Sequence, residues 1–123
     1  MEKGEVILKL VETQIQLRQL HWQTKSYAKH QAYGKIYEDM DDLIDMFAEV
    51  CMGKHGRPEY KGGYTIQGKD ISEISVQEFI DETCDFLISL TDVYDQSEDS
   101  DLLNLRDEIL ALFNKLKYLL TLK

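Results

Sequence analysis

Residues 36–52, IYEDMDDLIDMFAEVCM, place apolar side chains three and four positions apart with acids between them. This spacing is typical of an amphipathic α-helix, where residues i, i+3, i+4 and i+7 share one face. We predict a helix, B, from about His30 to Met52, ended by Gly53. Its predicted core stripe is Ile36, Met40, Leu43, Ile44, Phe47, Val50 and Cys51.

Three further helical patterns lie outside this stretch. Helix A is predicted from Glu5 to about Ala28, with Ile15 and Trp22 in its apolar stripe. Helix C begins after a capping box at Ser75–Glu78, and the helix is predicted to continue to about Tyr94. Helix D covers about 101–122, with Leu105, Ile109, Leu112, Leu116 and Leu119 towards the core, and Leu103 and Leu110 towards a second buried surface.

The four patterns predict an all-α protein, a single domain over residues 1–123 folded as a four-helix bundle. Residues 54–74 contain four glycines and one proline, which favour turns and interrupt helices. They are therefore predicted as an irregular loop between helices B and C. Within this loop, Tyr64–Ile66 is predicted as a short strand. The bundle is expected to be up-down-up-down, or to have this loop crossing over.

Charge and cysteine content limit the classes of function. The chain of 123 residues carries 14 basic and 23 acidic side chains, a formal net charge of −9 at pH 7. Such a surface repels phosphate backbones and anionic lipid, so we expect neither direct nucleic-acid binding nor membrane binding. Cys51 and Cys84 fall within helical patterns, which favours reduced core thiols and a cytoplasmic protein without a signal peptide.

Two carboxylates and two histidines are the candidate metal ligands. At ~100° per residue, Asp45 and Glu49 fall opposite the core stripe of helix B and share one face. They form either a solvated surface or half of a cation site. His21 lies at the edge of the apolar arc of helix A, and His30 begins helix B; each is a core or interface residue or a ligand. No acid lies three residues before either histidine, so the Glu-x-x-His pair of di-iron bundles is missing and any site is expected between subunits.

The same residues carry a family resemblance. Leu20-His21-Trp22, then His30, then Leu43-Ile44-Asp45 and Glu49 resemble the Dps branch of the ferritin-like superfamily, the DNA-binding proteins of starved cells and the mini-ferritins. The resemblance covers roughly residues 17–52 and implies a ferritin-like homo-oligomer that oxidises iron between two subunits. One subunit would supply His21 and His30, and the other would supply Asp45 and Glu49.

The sequence departs from this family in several places. Four residues after its second histidine the family usually has an aspartate, and here that position is Gly34, which removes one metal ligand. Glu38, one turn further on, is the candidate replacement. The gap between the histidines is shorter than usual, and no lysine-rich N-terminal tail is present. The sequence is also similar to small ferritin-like proteins of tailed phages.

Three functions compete. The first is an iron-binding protein that oxidises Fe(II) with peroxide or oxygen at an inter-subunit site, with other divalent metals also accepted by imidazole and carboxylate ligands. The second is a non-enzymatic helical bundle that keeps the scaffold and binds a partner, which the glycine at position 34 favours. The third is an acidic mimic of DNA. A phage-encoded chain would act in the host cytoplasm.

Overall fold

The computed structural model describes all 123 residues and contains helices and no strands. The all-α class is therefore confirmed. Four α-helices are joined by loops and by two short 3₁₀ turns, at Ile71–Glu73 and Leu90–Asp92. The helices are α1 (Lys3–Gln23), α2 (Tyr27–His55), α3 (Val76–Ser89) and α4 (Ser100–Leu119).

The predicted end of α2 at Gly53 was wrong: the helix continues to His55, and Gly56, with a φ of 84°, is its C-cap. The Ser26 side chain accepts a hydrogen bond from the backbone N–H of Lys29, so α2 begins three residues earlier than predicted. Ser75 caps α3 in the same way by accepting from the N–H of Glu78, as its sequence context predicts. Helix α3 ends at Ser89 rather than at about Tyr94, because the chain tightens into the second 3₁₀ turn.

One apolar core joins the four helices. It contains 22 buried hydrophobic residues in a single cluster. Five of the seven residues predicted for the core stripe of α2 are buried, which confirms the position of that face; they are Ile36, Met40, Ile44, Phe47 and Cys51. None of the helices combines the length and apolar character needed to cross a membrane.

Two predictions of burial were wrong. Trp22 and Ile15, predicted to point into the core, are 65% and 43% exposed. They lie on a side of α1 that no other segment of the chain covers. Leu103, predicted to face a second surface, is buried in the same core, and Leu110 packs against it. The core face of α4 is therefore wider than predicted, and this helix carries no separate apolar surface there.

The helix directions show that the long loop is a crossover. Helices α1 and α2 form an antiparallel hairpin, and the C-terminal end of α2 meets the start of α4 through Lys54 and Asp101. Helices α3 and α4 are also antiparallel, because Lys117 near the end of α4 pairs with Asp81 near the start of α3. Helices α2 and α3 consequently run in the same direction, so the crossover alternative is confirmed and up-down-up-down is wrong.

The crossover segment, residues 56–75, returns along the whole length of α1. The Tyr60 hydroxyl donates to the carbonyl of Gly4 near the start of α1, and Gln23 near its end accepts from the N–H of Ile71. Between these points the segment has no strand, and the predicted strand at 64–66 was wrong. Its backbone groups bond to polar side chains of α1, so a partner strand is not needed.

This segment covers the fourth side of the bundle. The helix pairs α1–α2, α2–α4 and α3–α4 pack closely, whereas α1 and α3 leave a seam between them. A cavity of about 210 Å³ remains in that seam, lined mostly by polar residues of α1, α3 and the crossover segment.

Candidate metal centre

His21 and His30 are held against each other at the turn between α1 and α2. The Nδ1 atom of His21 lies 2.7 Å from the carbonyl oxygen of His30, and the Nδ1 atom of His30 lies 2.8 Å from the carbonyl oxygen of His21. The two rings stack with centroids 3.8 Å apart and planes inclined by 16°. The carbonyl of His21 is one of the four at a helix end without a helical partner, so this reciprocal contact also caps α1.

Gly34 makes this contact sterically possible. It lies one turn after His30 in α2, where a Cβ would stand 2.8 Å from Cε1 and 2.9 Å from Nδ1 of His21. Real side chains do not approach so closely, so any residue other than glycine would displace the His21 ring. The position that carries a carboxylate in the resembling family is therefore occupied here by the His21 imidazole.

The hydrogen bonds define which nitrogen each ring can offer to a metal. A carbonyl oxygen only accepts, so Nδ1 carries a proton in both histidines. Each Nε2 atom then remains without a protein partner, and neither is sealed from solvent. An imidazole held through Nδ1–H by a backbone carbonyl is the usual arrangement of a metal-binding histidine. Because the rings are nearly parallel, their Nε2 lone pairs cannot both point at one ion without a ring rotation.

Asp45 and Glu49 lie on the outward side of α2, as predicted. Both are exposed, and neither forms a hydrogen bond or an ion pair within the chain. Glu38 and Asp42 share their sector of the helix and are also exposed and unpaired. Within one chain, no three histidine, cysteine, aspartate or glutamate side chains converge on a point where a metal would bind. The four predicted ligands therefore form two separate pairs in the chain.

A second polar cluster joins the C-terminal end of α2 to the start of α4. His55, the last residue of α2, donates from Nε2 to the buried carboxylate of Asp99 at 3.0 Å. Lys54 lies 3.8 Å from the same carboxylate and bonds to Asp101. Asp99 also accepts from the N–H of Asp95, so its charge is fully surrounded by donors. The cluster fixes the start of α4 and uses both carboxylate oxygens of Asp99.

The two cysteines are free, buried thiols, which confirms the prediction that they are core residues. Burial raises the pKa of the Cys51 thiol, and burial likewise raises the pKa of Cys84. Cys51 lies 3.9 Å from the buried Tyr94 hydroxyl, whose pKa burial also raises. Protonated, enclosed thiols are poor nucleophiles and poor metal ligands, so neither cysteine is a candidate catalytic group.

The crossover segment depends on residues that sequence analysis did not identify. Gln16 uses both ends of its amide on one residue: Oε1 accepts from the Lys69 N–H at 2.8 Å, and Nε2 donates to the Lys69 carbonyl at 3.0 Å. Glu12 accepts from the N–H of Gln67. The sequence signal for this contact was a polar stripe on α1 formed by Glu12, Gln16 and Gln23. These polar residues share one side of the helix, and the crossover segment covers that side.

Comparisons with known proteins give one family match and one phage relative. Residues 21–120 match DUF5856, described as a family of unknown function. The chain is 33% identical over 116 residues to an uncharacterized 14.6 kDa protein from the mobD-ri intergenic region of Enterobacteria phage T4, covering 93% of this chain and 84% of that protein. No solved structure matches the chain.

Proposed function

We propose that this chain, which belongs to the DUF5856 family, is a ferritin-like protein that binds iron between two copies of itself. His21 and His30 of one copy would supply imidazole nitrogens, and Asp45 and Glu49 of the other would supply carboxylates. The likeness to a phage T4 protein supports an activity in the cytoplasm of an infected cell.

The observation that carries the proposal is the state of the two histidines. Each donates Nδ1–H to a backbone carbonyl and keeps Nε2 free at the surface. Free imidazoles of this kind, together with exposed and unpaired carboxylates, are ligands that Fe(II), Zn(II) and Mn(II) accept. Because the carboxylates point away from their own core, we expect a second copy of the chain to bring its histidines to them and complete the set of ligands.

The topology supports the same proposal. Ferritin-like bundles differ from simple antiparallel bundles by one long crossover connection. Here the crossover links α2 to α3, and α1–α2 and α3–α4 form the two antiparallel hairpins. This agreement concerns the path of the chain and supports the scaffold independently of the histidines.

Gly34 and the ring stacking restrict the chemistry. With the 34 position filled by the His21 ring, one copy offers nitrogen ligands alone, and all carboxylates must come from its partner. Two nearly parallel rings serve two different ions more easily than one. We therefore expect metal binding to be the primary property, and oxidation of Fe(II) by peroxide or oxygen to be slow.

An anaerobic calorimetric titration with Fe(II) tests the proposal. We expect binding by the wild type and a loss of about tenfold or more in affinity for the Asp45→Asn, Glu49→Gln double variant. The matched control is Glu78→Gln, Glu82→Gln, which neutralises another exposed pair four residues apart on α3. Equal affinity in all three proteins, or no binding by the wild type, would rule out the proposed site.

A second candidate function is a helical scaffold without a metal. The observation that favours it is the completeness of the His21–His30 contact, which satisfies both Nδ1 atoms and stacks both rings without any ion. In that case the histidines only join α1 to α2, and the protein acts through a surface. Absence of Fe(II) binding together with a lower unfolding midpoint in His30→Ala would support this candidate over the first.

A further inference from the structure

Arg18 lies between two aromatic rings on the outward side of α1 and α2. Its Cζ atom is 4.5 Å from the ring centroid of Tyr37 and 5.3 Å from that of Trp22. Stacking of this kind covers the flat faces of the guanidinium and leaves its N–H edge exposed. Arg18 is itself exposed, so its N–H donors are accessible to a partner.

The exposed donors of Arg18 have no partner within the chain. Arg18 forms no ion pair and no hydrogen bond, although acidic side chains outnumber basic ones by 23 to 14. The other arginine packed on a helix, Arg106, bonds to the Leu87 carbonyl and to Thr91. A guanidinium edge held in this way is suited to a carboxylate, which it can bind through two parallel hydrogen bonds.

The surroundings of Arg18 have the composition of a protein interface. Trp22 and Ile15 are exposed beside it, four residues after and three residues before Arg18 on the same helix. Tryptophan, tyrosine and arginine are the residues that most often dominate binding energy at interfaces. Next to this apolar and basic half lies an acidic half on α2, made of the unpaired carboxylates Glu38, Asp42, Asp45 and Glu49.

These two halves complement each other when two copies meet about a two-fold axis. In such an interface the same surface is used twice, so the Arg18 half of each copy covers the acidic half of the other. A second copy of this chain is therefore the occupant that the charges select. Each contact also removes the repulsion between carboxylates that lie four residues apart on α2.

We propose that Arg18 docks on the partner's Asp42 in this dimer. The assignment rests on the proposed function in one respect, the pairing of His30 with the partner's Glu49. When two α2 helices cross antiparallel about a two-fold axis, paired residue numbers keep a constant sum. The register that pairs residue 30 with residue 49 therefore also pairs residue 37 with residue 42. It places Tyr37, and the Arg18 stacked on it, beside the partner's Asp42.

A charge-exchange experiment tests this docking without any metal. Sedimentation equilibrium in EDTA should show the wild type as an assembly of two or more 14.4 kDa chains. We expect Arg18→Glu and Asp42→Lys each to weaken association by about tenfold or more, and the double variant to regain most of the loss. Arg57→Glu, the same change on an exposed residue of the crossover segment, should leave association unchanged.

Trp22 supplies an independent readout, because it is the one tryptophan of the chain and is 65% exposed in a single copy. Its fluorescence should shift to shorter wavelength as the wild type associates, and the shift should be lost in Arg18→Glu. A monomeric wild type in EDTA, an ineffective Arg18→Glu, or single losses that the double variant does not restore would each overturn the assignment. A metal-free dimer that binds no Fe(II) would keep the docking and remove the proposed function.

Discussion

Gly34 lies against the imidazole of His21, so closely that a Cβ at position 34 would stand 2.8 Å from Cε1 of the ring. Glycine inside a helix costs about 1 kcal/mol relative to alanine. The structure uses that position to let the ring of α1 reach the His30 carbonyl of α2. The glycine and the stacked histidines are thus two aspects of one packing arrangement.

Replacing this glycine should therefore destabilise the protein. In Gly34→Ala the gain in helix propensity is opposed by the loss of two hydrogen bonds, each about 1 kcal/mol, and of the ring stacking. We expect a net loss of about 1 kcal/mol in the free energy of unfolding, measured by urea denaturation. A stabilised Gly34→Ala would show that the histidine contact contributes little.

Gly53, near the end of the same helix, is the matched control. A Cβ at that position meets nothing within 4 Å. Gly53→Ala should therefore show the helix-propensity gain alone and stabilise the protein by about 0.5–1 kcal/mol. The prediction is that the two substitutions have opposite signs, although both put alanine for glycine in α2.

Gln16→Ala should release the crossover segment from α1. The substitution leaves the N–H and the carbonyl of Lys69 without partners, at a cost of about 1–3 kcal/mol. Amide hydrogen exchange should accelerate at residues 67–71 and remain unchanged in the helix centres. Gln31→Ala, on the exposed side of α2, is the control, and unchanged exchange at Lys69 would show that the segment is held by other contacts.

The link between α3 and α4 predicts a dependence of stability on pH. The backbone N–H of Glu98, together with the hydroxyl and N–H of Ser97, holds the pKa of Asp95 below its ordinary value. A lowered folded-state pKa means that the carboxylate stabilises the fold above the unfolded pKa of about 3.9, and that this contribution is lost as the pH falls through the folded pKa.

Asp95→Asn should accordingly be less stable than the wild type at pH 7, and the difference should shrink at pH values below about 4. Urea midpoints measured at neutral and acidic pH give both quantities. Asp85→Asn, an exposed carboxylate on α3 without hydrogen bonds, is the control. A difference between wild type and Asp95→Asn that stays constant with pH would contradict this role.

The thiols of Cys51 and Cys84 should be unreactive in the folded protein. Burial blocks access to both and raises the pKa of each, so little thiolate is present near neutral pH. Reaction with a disulfide reagent should be slow in buffer and prompt in urea, with two thiols per chain. A fast reaction of one thiol in buffer would indicate that the helix covering it opens readily.

Sequence periodicity was sufficient for the helices and for the core face of α2. It failed where a helix is covered by a neighbour that the sequence does not identify. Trp22 and Ile15 continue the apolar pattern of α1 and are nevertheless exposed, while Gln16 is buried under the crossover segment. Periodicity reports how apolar a face is, whereas burial depends on which segment packs against it.

The candidate metal site was likewise predictable from the sequence only in part. The family resemblance combined His21, His30, Asp45 and Glu49 into one candidate site, and the helical spacing predicted that both carboxylates point outward. The sequence could not show that both Nδ1 atoms are used by backbone carbonyls, or that Gly34 receives the His21 ring, because these contacts join residues of two helices through the turn between them.

The sequence by itself determined four amphipathic helices, the cap of α3 at Ser75, an acidic outward side on α2 and two buried thiols. These properties depend on side chains within a few residues of one another. Tertiary structure decided the direction of α3, the course of the crossover segment along α1 and the placement of Arg18 between Trp22 and Tyr37. Those features arise from contacts between distant segments, whose geometry is set by how whole helices pack.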